Sequence, residues 1–322
     1  KCTKDKMSTI QASANNDREE ENETNIDLQS ALTTTVLKLE EIDKNLYRGT
    51  HLWKPIGGRG VFGGQVVGQA LVAAGRTKPE NVHVHSLHCY FIRPGQNDRP
   101  ILYHVERERD GSSFSSRTVK AVQNGESLLT MLVSYHKHEQ MPLEHQHAMP
   151  KVPPPEDLLS DTENLRKFLE LDLIPERYKH RVKQMLAREL PFEVKPVDPA
   201  TYYHYVAGDL TSKAWIRAKG HIGEATRDLH RCAAAYMSDY TLLRVSLNAY
   251  PGFQPAMMAS LDHSMWFHSD FRADEWMLYE SESPRLVGAR ALTLGRLWKR
   301  DGTLAVSVAQ EGVVRGSYKS RL

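Results

Sequence analysis

The feature of this 322-residue sequence that most constrains its fold is an internal duplication. Matching segments in the two halves are HSLHCYF with ASLDHSMWF and PILYHVER with EWMLYESE. The offset between landmarks is 174 residues from Ser86 to Ser260, 176 from Tyr103 to Tyr279 and 177 from Gly125 to Gly302. So steady an offset predicts two copies of one unit, each built of a helix and several antiparallel strands.

Turn dipeptides indicate how the strands of each copy are connected. Asn124-Gly125 joins two β-type runs in the first half, and Asp301-Gly302 occupies the matching place in the second half. Both dipeptides favour tight hairpins, whose strands run antiparallel. The sequence therefore predicts an α+β fold with antiparallel sheets.

The glycine-rich stretch GGRGVFGGQVVGQAL, residues 57–71, has the G-x-G-x-x-G spacing of a dinucleotide-binding loop at Gly58, Gly60 and Gly63. That loop also needs a buried strand before the glycines and an acidic residue about 20 positions after them. HLWKPI precedes the stretch and NVHVHSLHCYF follows it, so both requirements fail. We interpret the stretch as a loop and the central helix of the first unit, with glycines that let the backbone approach the surrounding sheet.

The remaining segments divide the chain around the two units. Residues 1–27 include NNDREEENETNID, which has too few apolar side chains to form a core and predicts a disordered acidic tail. Between the units, EQMPLEHQHAMPKVPPPEDL is followed by helical patterns at 156–169 and 176–188. We predict a first unit at 28–138, a helical linker at 139–198 and a second unit at 199–319.

Composition and missing motifs exclude several classes of function. Forty-two Lys and Arg residues against 40 Asp and Glu give a net charge of +2, without the basic excess of a nucleic-acid-binding protein. No apolar run is long enough to span a membrane. Three widely spaced cysteines and the absence of Walker and H-E-x-x-H motifs predict no metal site and no cofactor. The G-x-S-x-G elbow of α/β-hydrolases is also absent.

A polar residue interrupts an apolar strand face in the second copy only. Leu304, Val306 and Val308 alternate along one face, which places Gln310 next on that face. At an offset of 177, the first copy has Val133 at this position. Gln310 is therefore either a buried amide that needs partners or a strand-end residue turning to solvent.

Two carboxylates are candidates for chemistry. Asp239 lies at the edge of the apolar stripe of a predicted helix, and an offset of 174 matches it with Gln65. Ser260, Asp262 and Ser264 share one face of the following strand. Periodicity alone allows Asp239 to be a helix-surface residue and does not choose between Asp239 and Asp262.

Five segments in order resemble the acyl-CoA thioesterase II family, whose fold is a double hot dog, and in particular its eukaryotic peroxisomal members. The segments, covering about residues 30–318, are VFGGQVVGQAL, VHSLHCYFIRPG, SLDHSMWFH, FRADEWMLY and GRLWKRDGTLAVSVAQEGVVR. The resemblance implies two tandem antiparallel sheets, each wrapped around a central helix. It also implies an enzyme that hydrolyses fatty acyl-CoA to free fatty acid and CoA.

The family's catalytic set carries over to three residues: Asp239 in YMSDY, Ser260 in ASLDHS and Gln310 in VAQEG. The resemblance implies that these residues activate a water molecule. Ser260 could instead act as a nucleophile, but no histidine is assigned beside it. The alternatives from other classes are a non-catalytic acyl-CoA-binding hot-dog protein and an enzyme like enoyl-CoA hydratase.

The tripeptide Ser320-Arg321-Leu322 is similar to the S-K-L peroxisomal address. Together with the family, it predicts a protein of the peroxisomal matrix that binds the peroxisomal import receptor. The family also implies pairing of hot-dog units, which allows a homo-oligomer.

Overall fold

The computed structural model describes residues 29–172, 174, 176–223, 227–251 and 253–318. The predicted acidic tail at 1–27 and the tripeptide at 320–322 lie outside the described residues. None of the helices in the described part of the chain has the length and apolar character needed to traverse a bilayer.

The first unit begins with a π-helical turn and continues with strands on either side of one long helix. Its elements are the turn Leu32–Val36, β1 (Glu40–Asp43), β2 (Leu46–Gly49), α1 (Gly63–Gly75), β3 (Val82–Phe91), β4 (Ile101–Asp110), β5 (Phe114–Gln123) and β6 (Glu126–Lys137). Helix α1 starts inside the glycine-rich stretch, after an extended Phe62. The interpretation of that stretch as a loop and a helix is confirmed.

The linker and the second unit follow. Their elements are 3-10 turns at Pro155–Asp157 and Leu242–Leu247, α2 (Asp161–Glu170), α3 (Glu176–Leu186), β7 (Phe192–Pro196), α4 (Pro199–Tyr202), β8 (Thr211–Ala218), α5 (Arg227–Ser238), β9 (Phe253–Ser260), β10 (Asp262–Phe267), β11 (Met277–Val287), β12 (Arg290–Trp298) and β13 (Leu304–Tyr318). Helices α2 and α3 coincide with the two helical patterns. Strand β7 lies within the segment predicted as helical linker, because its alternating apolar residues pair with β8. The unit boundaries themselves stay a prediction.

The two units join into one antiparallel sheet through their central strands. The strand order is β1-β2-β4-β5-β6-β3-β10-β13-β12-β11-β8-β7, with β9 also paired to β13. The order outward from β3 is thus repeated outward from β10. Pairing across neighbouring strands is repeated as well. In the first unit, Tyr103, Ala121 and Leu129 are paired across β4, β5 and β6. In the second unit, Tyr279, Leu297 and Val306 are paired in the same way across β11, β12 and β13. Equivalent residues in these rows are 176 or 177 positions apart, which supports the duplication.

The register corrects the offset of 174 that Ser86 and Ser260 indicated. Cys89 is paired with Met131, and Met265 is paired with Val308, so Cys89 and Met265 are equivalent. Their separation of 176 makes Leu87 the counterpart of His263. The serine match is two residues out of register because short polar segments resemble each other without occupying the same strand position.

Helices α1 and α5 pack directly on each other, and glycines of α1 allow the close approach. A Cβ atom at Gly64 would lie 2.3 Å from the carbonyl oxygen of Tyr236, and one at Gly68 would lie 3.2 Å from that of Cys232. Gly64 and Gly68 thus face the helix of the other unit, whereas a Cβ atom at Gly63 would lie 3.1 Å from the ring of Phe91 in β3. The expectation that the glycines approach the sheet therefore holds at Gly63 and is wrong at Gly64 and Gly68. The two units are therefore joined by a helix pair as well as by β3 and β10.

Gly64→Ala is expected to lower the free energy of unfolding by about 1–3 kcal/mol, the usual cost of forcing extra volume into a packed interior. Gly75→Ala is the matched control, because a Cβ atom there meets nothing within 4 Å. It should leave stability unchanged or raise it by up to about 1 kcal/mol. Urea unfolding of both variants measures the difference, and equal midpoints would contradict the helix contact.

Candidate active site

The three predicted site residues come from three elements of the second unit and meet at one place. Asp239 follows the last residue of α5, Ser260 ends β9, and Gln310 lies in β13. The Ser260 hydroxyl donates to Asp239 Oδ1 at 3.3 Å, and Gln310 Nε2 donates to Ser260 Oγ at 2.6 Å. The structure therefore brings all three side chains into one hydrogen-bonded group.

The second oxygen of Asp239 is held by the first unit. The Gly64 backbone N–H, in the first turn of α1, donates to Asp239 Oδ2 at 2.8 Å. The first N–H groups of a helix have no partner within the helix and carry partial positive charge, so they favour a carboxylate. The site is composite, since the carboxylate of one copy is bound by the helix start of the other.

Burial dominates the electrostatics of Asp239. It raises the pKa of this carboxyl above its ordinary value, although His263 and the hydrogen bonds from Gly64, Gln310 and Ser260 act in the opposite direction. A carboxylate with a raised pKa is a stronger base than an exposed one. Asp239 is therefore a stronger base than an exposed carboxylate would be.

Asp262, the competing carboxylate, has a different contact. Its Oδ1 accepts a hydrogen bond at 2.7 Å from the backbone N–H of Glu311. This bond links the start of β10 to β13, next to the group formed by Asp239, Ser260 and Gln310. Geometry thus separates two carboxylates that periodicity left equivalent, and only Asp239 contacts Ser260.

His263 belongs to the same group and is absent from the sequence-based prediction. The side chain is fully buried, and its Nδ1 lies 2.6 Å from Gln310 Oε1. Because an amide oxygen only accepts, Nδ1 carries the hydrogen. Nε2 lies 3.0 Å from Ser238 Oγ. Burial lowers the pKa of His263 and so favours its neutral form.

The signal for His263 was present in the duplication but required the correct register. At an offset of 176 the first copy has Leu87 at this strand position, so a polar residue replaces an apolar one as at Gln310. The contacts of His263 go to Gln310 and Ser238. Among the described residues, the hydrogen-bond partners of the Ser260 hydroxyl are Asp239 and Gln310, and neither is a histidine.

Gln65 is not the counterpart of Asp239, contrary to the match at 174. It lies in the first turn of α1, whereas Asp239 follows the end of α5. Its buried amide accepts from the backbone N–H of Trp53 at 2.8 Å and donates to the carbonyl oxygens of Val36 and His51. Gln65 therefore holds the loop in front of α1 and takes no part in the group around Asp239.

A cavity of about 470 Å³ opens beside the site, between the second unit and helices α2 and α3. Its lining includes Tyr240 and Thr241, which directly follow Asp239 in the chain. Apolar and cationic side chains are both present: Trp53, Ile56, Leu165, Met185, Phe192, Arg166, Arg181, Arg188, Arg244 and Lys219. These five cations outnumber the three carboxylates of the lining, Asp161, Glu189 and Glu193, so the mixture suits a ligand with an aliphatic chain and negatively charged groups.

The two remaining features concern thiols and metals. Cys89 and Cys232 are buried free thiols, and burial raises the pKa of both. Their buried location is that of structural thiols. Across the part of the chain that the structure describes, no group of three or more His, Cys, Asp or Glu side chains could hold a metal ion.

Two family models match the chain in the order of its units. Residues 50–136 match the acyl-CoA thioesterase N-terminal domain, and residues 186–313 match the acyl-CoA thioesterase family. The second match contains Asp239, Ser260 and Gln310, and the first contains Gly64.

Individual proteins are similar over most of their length. The acyl-coenzyme A thioesterase 8 of Mus musculus is 50% identical over 290 residues, which cover 90% of each chain. The peroxisomal acyl-coenzyme A thioester hydrolase 1 of Saccharomyces cerevisiae is 28% identical over 82% of this chain and 89% of its own. The crystal structure of acyl-CoA thioesterase II TesB2 from Mycobacterium marinum is 37% identical, with a TM-score of 0.68 over 89% of this chain and 99% of that one. The predicted α+β double hot dog fold is confirmed.

Proposed function

The chain belongs to the acyl-CoA thioesterase II family, and we propose that it hydrolyses fatty acyl-CoA with a water molecule activated by Asp239, Ser260 and Gln310. The observation that carries the proposal is a continuous, directional chain of hydrogen bonds. His263 donates to Gln310, Gln310 donates to Ser260, and Ser260 donates to Asp239. The chain of donors ends on the Asp239 carboxylate and favours its ionised form, which is the form that can accept a proton from water.

In the proposed reaction, Asp239 accepts a proton from water while the water oxygen attacks the thioester carbonyl carbon. The C–S bond of the tetrahedral intermediate then breaks, and the CoA sulfur takes the proton back from Asp239. The products are a free fatty acid and CoA. Gln310 does not titrate, so its part is to orient the water and Ser260 beside the carboxylate. No cofactor enters these steps.

The start of α1 has a supporting part in this mechanism. The Gly64 N–H fixes the orientation of Asp239 and offsets some of the cost of a buried negative charge. The Gly64 N–H therefore favours the ionised form of the carboxylate, although burial raises its pKa. We infer that neither unit is catalytically competent without the other.

Asp239→Asn is expected to reduce kcat by about 100- to 10,000-fold, the usual contribution of a general base. Asp262→Asn is the matched control and should retain most activity, because Asp262 contacts the Glu311 backbone. Release of CoA thiol from a fatty acyl-CoA measures both, and it also separates an enzyme from a non-catalytic acyl-CoA-binding protein. In the wild type, kcat should fall on acidification at a pH above the ordinary carboxyl pKa of about 3.9, because the base must be ionised.

The fold of Asp239→Asn provides a control on this result. The folded-state pKa of Asp239 lies above the unfolded value, so the stabilising contribution of this group is lost as pH rises through the folded pKa. An asparagine stays neutral and avoids that loss, but its single amide oxygen can accept from only one of the two donors, Ser260 and Gly64. The two effects oppose each other, so the variant should remain folded at pH 7. A stable Asp239→Asn protein with near wild-type turnover would contradict the mechanism.

His263 is proposed as a positioning residue that acts through Gln310. An unrestrained amide side chain can present either its oxygen or its nitrogen to Ser260. The Nδ1–H of His263 selects one orientation, because only Gln310 Oε1 can accept from it. Gln310 Nε2 is then directed at Ser260.

His263→Leu, which introduces the residue type of the equivalent Leu87, should lower kcat by about 10- to 100-fold with little change in KM, the effect of a misplaced group in the site. In His263→Asn, the side-chain Nδ2 is bonded to Cγ, as Nδ1 is in histidine, so it can still donate to Gln310. This variant should therefore retain more of the wild-type kcat than His263→Leu. Steady-state kinetics of both variants, with thermal melting as the control for folding, tests the role. Equal kcat values for the two variants would indicate that His263 serves packing alone.

Import into the peroxisomal matrix, by the peroxisomal import receptor, is proposed from two observations. The yeast relative is named a peroxisomal acyl-coenzyme A thioester hydrolase, and Ser320-Arg321-Leu322 is similar to S-K-L. Blocking the tripeptide with a C-terminal fluorescent tag should leave the protein in the cytosol, whereas an N-terminal tag should allow import. Microscopy against a peroxisomal marker distinguishes them, and import of both forms would exclude this signal.

A further inference from the structure

The duplicated fold contains a second position that is equivalent to the candidate active site. In the first unit, Val84 is paired with Tyr135 just before a bulge in β3. In the second unit, Ser260 is paired with Gly312 just before the break between β9 and β10. Val84 therefore corresponds to Ser260 at the offset of 176. In the same register, Val133 corresponds to Gln310 and Leu87 to His263. The equivalent position thus lacks the polar group that surrounds Asp239.

A cavity of about 310 Å³ occupies this position, and we name it the mate cavity. Its walls are formed by the end of α1, the start of α5 and the strands β3 and β6. At Asp239 the arrangement is the opposite, because the start of α1 lies there beside the end of α5. Its lining residues are Leu71, Val72, Gly75, Arg76, Val84, Tyr135, Asp228, Leu229 and Cys232. Most of this surface is aliphatic, and the volume lies at the lower end of the range of small-molecule sites.

A buried donor without a partner marks the mate cavity as more than a packing defect. Tyr135 is only 1% exposed, yet its hydroxyl has no hydrogen-bond partner among the described residues. Buried polar groups are nearly always hydrogen-bonded, so an unpartnered one points to a missing ligand or water. Burial raises the pKa of Tyr135 well above its ordinary value, which keeps the hydroxyl protonated and able to donate.

Charge at the edge of the mate cavity favours a ligand with a carbonyl or carboxylate end. The Asp228 carboxylate is countered by the Lys78 ammonium at 3.2 Å and by Arg231 at 3.5 Å. Arg76, at the end of α1, adds an exposed guanidinium to the lining. Because the Asp228 carboxylate already has these cationic partners, Arg76 is the charged group of the lining that can face a ligand, beside an aliphatic interior.

We propose that the mate cavity binds the aliphatic chain of a fatty acyl ligand without hydrolysing it, with the Tyr135 hydroxyl donating to the ligand's carbonyl or carboxylate oxygen. Hydrolysis does not follow because valines stand where the active site has Ser260 and Gln310. The ligand is either a free fatty acid or the acyl group of an acyl-CoA. This site goes beyond the proposed catalytic function and does not depend on the role of Asp239.

Equilibrium dialysis of the full chain with radiolabelled decanoate tests the proposal by stoichiometry. The wild type should bind two equivalents, one beside Asp239 and one in the mate cavity. Leu229→Trp, which fills the mate cavity, should bind one equivalent. Leu132→Trp is the matched control on the exposed face of β6 and should bind two, because Leu132 is 49% exposed. Equal stoichiometry for the two tryptophan variants would overturn the proposal.

Tyr135→Phe provides a second test if Leu229→Trp fails to fold. Removing a hydroxyl that has no partner should leave the melting temperature of the ligand-free protein unchanged or raised. One of the two decanoate sites should weaken about tenfold, the effect of losing one hydrogen bond. Unchanged affinity at both sites would contradict the assignment of Tyr135.

A parallel titration with S-decyl-CoA, a thioether that cannot be hydrolysed, identifies the source of the acyl chain. If the protein binds two equivalents of S-decyl-CoA, the mate cavity accepts the acyl group of an acyl-CoA. If it binds one equivalent of S-decyl-CoA but two of decanoate, the ligand of the mate cavity is a free fatty acid. The mechanism at Asp239 is judged by turnover and the mate cavity by stoichiometry. Failure of one therefore leaves the other measurable.

Discussion

The contact between the start of α1 and the end of α5 is the constraint on which the rest of the site depends. Gly64 has no side chain, so its backbone reaches the Tyr236 carbonyl, and its N–H reaches Asp239 Oδ2 at 2.8 Å. A larger residue at this position would separate the helices and remove the donor together. Because the two helices belong to different copies of the unit, the duplicated chain assembles the site through the same packing that joins its halves.

The two ends of this helix pair show how one fold supports two environments. At one end, a buried carboxylate requires Gly64 and Ser260 as donors, and Ser260 in turn requires Gln310. A buried polar group needs partners, so such a network is either complete or costly. At the other end, Val84, Val133 and Leu87 occupy the equivalent strand positions and require no partners, and Val84 lines a largely aliphatic cavity. The strand register, and therefore the fold, is the same in both.

Much of the architecture could be predicted because it follows from local patterns. Alternating residues and the Asn-Gly and Asp-Gly dipeptides predict antiparallel hairpins, and the apolar run after Gly63 indicates α1. Comparison of the copies also indicated Gln310, because a polar residue on an apolar face is visible in the sequence alone. The offset of 174 was wrong, and with it the match of Gln65 to Asp239, because segment similarity does not determine strand register.

The sequence by itself determined the residue types, the duplication and the strands and helices that local periodicity specifies. Only the tertiary structure decided that Asp239 rather than Asp262 contacts Ser260, and that His263 orients Gln310. Asp239 and Asp262 lie on adjoining segments with similar patterns, and their difference arises from what packs opposite each of them. Such contacts join residues far apart in the chain, and strand register and helix packing determine them, whereas periodicity describes each segment alone.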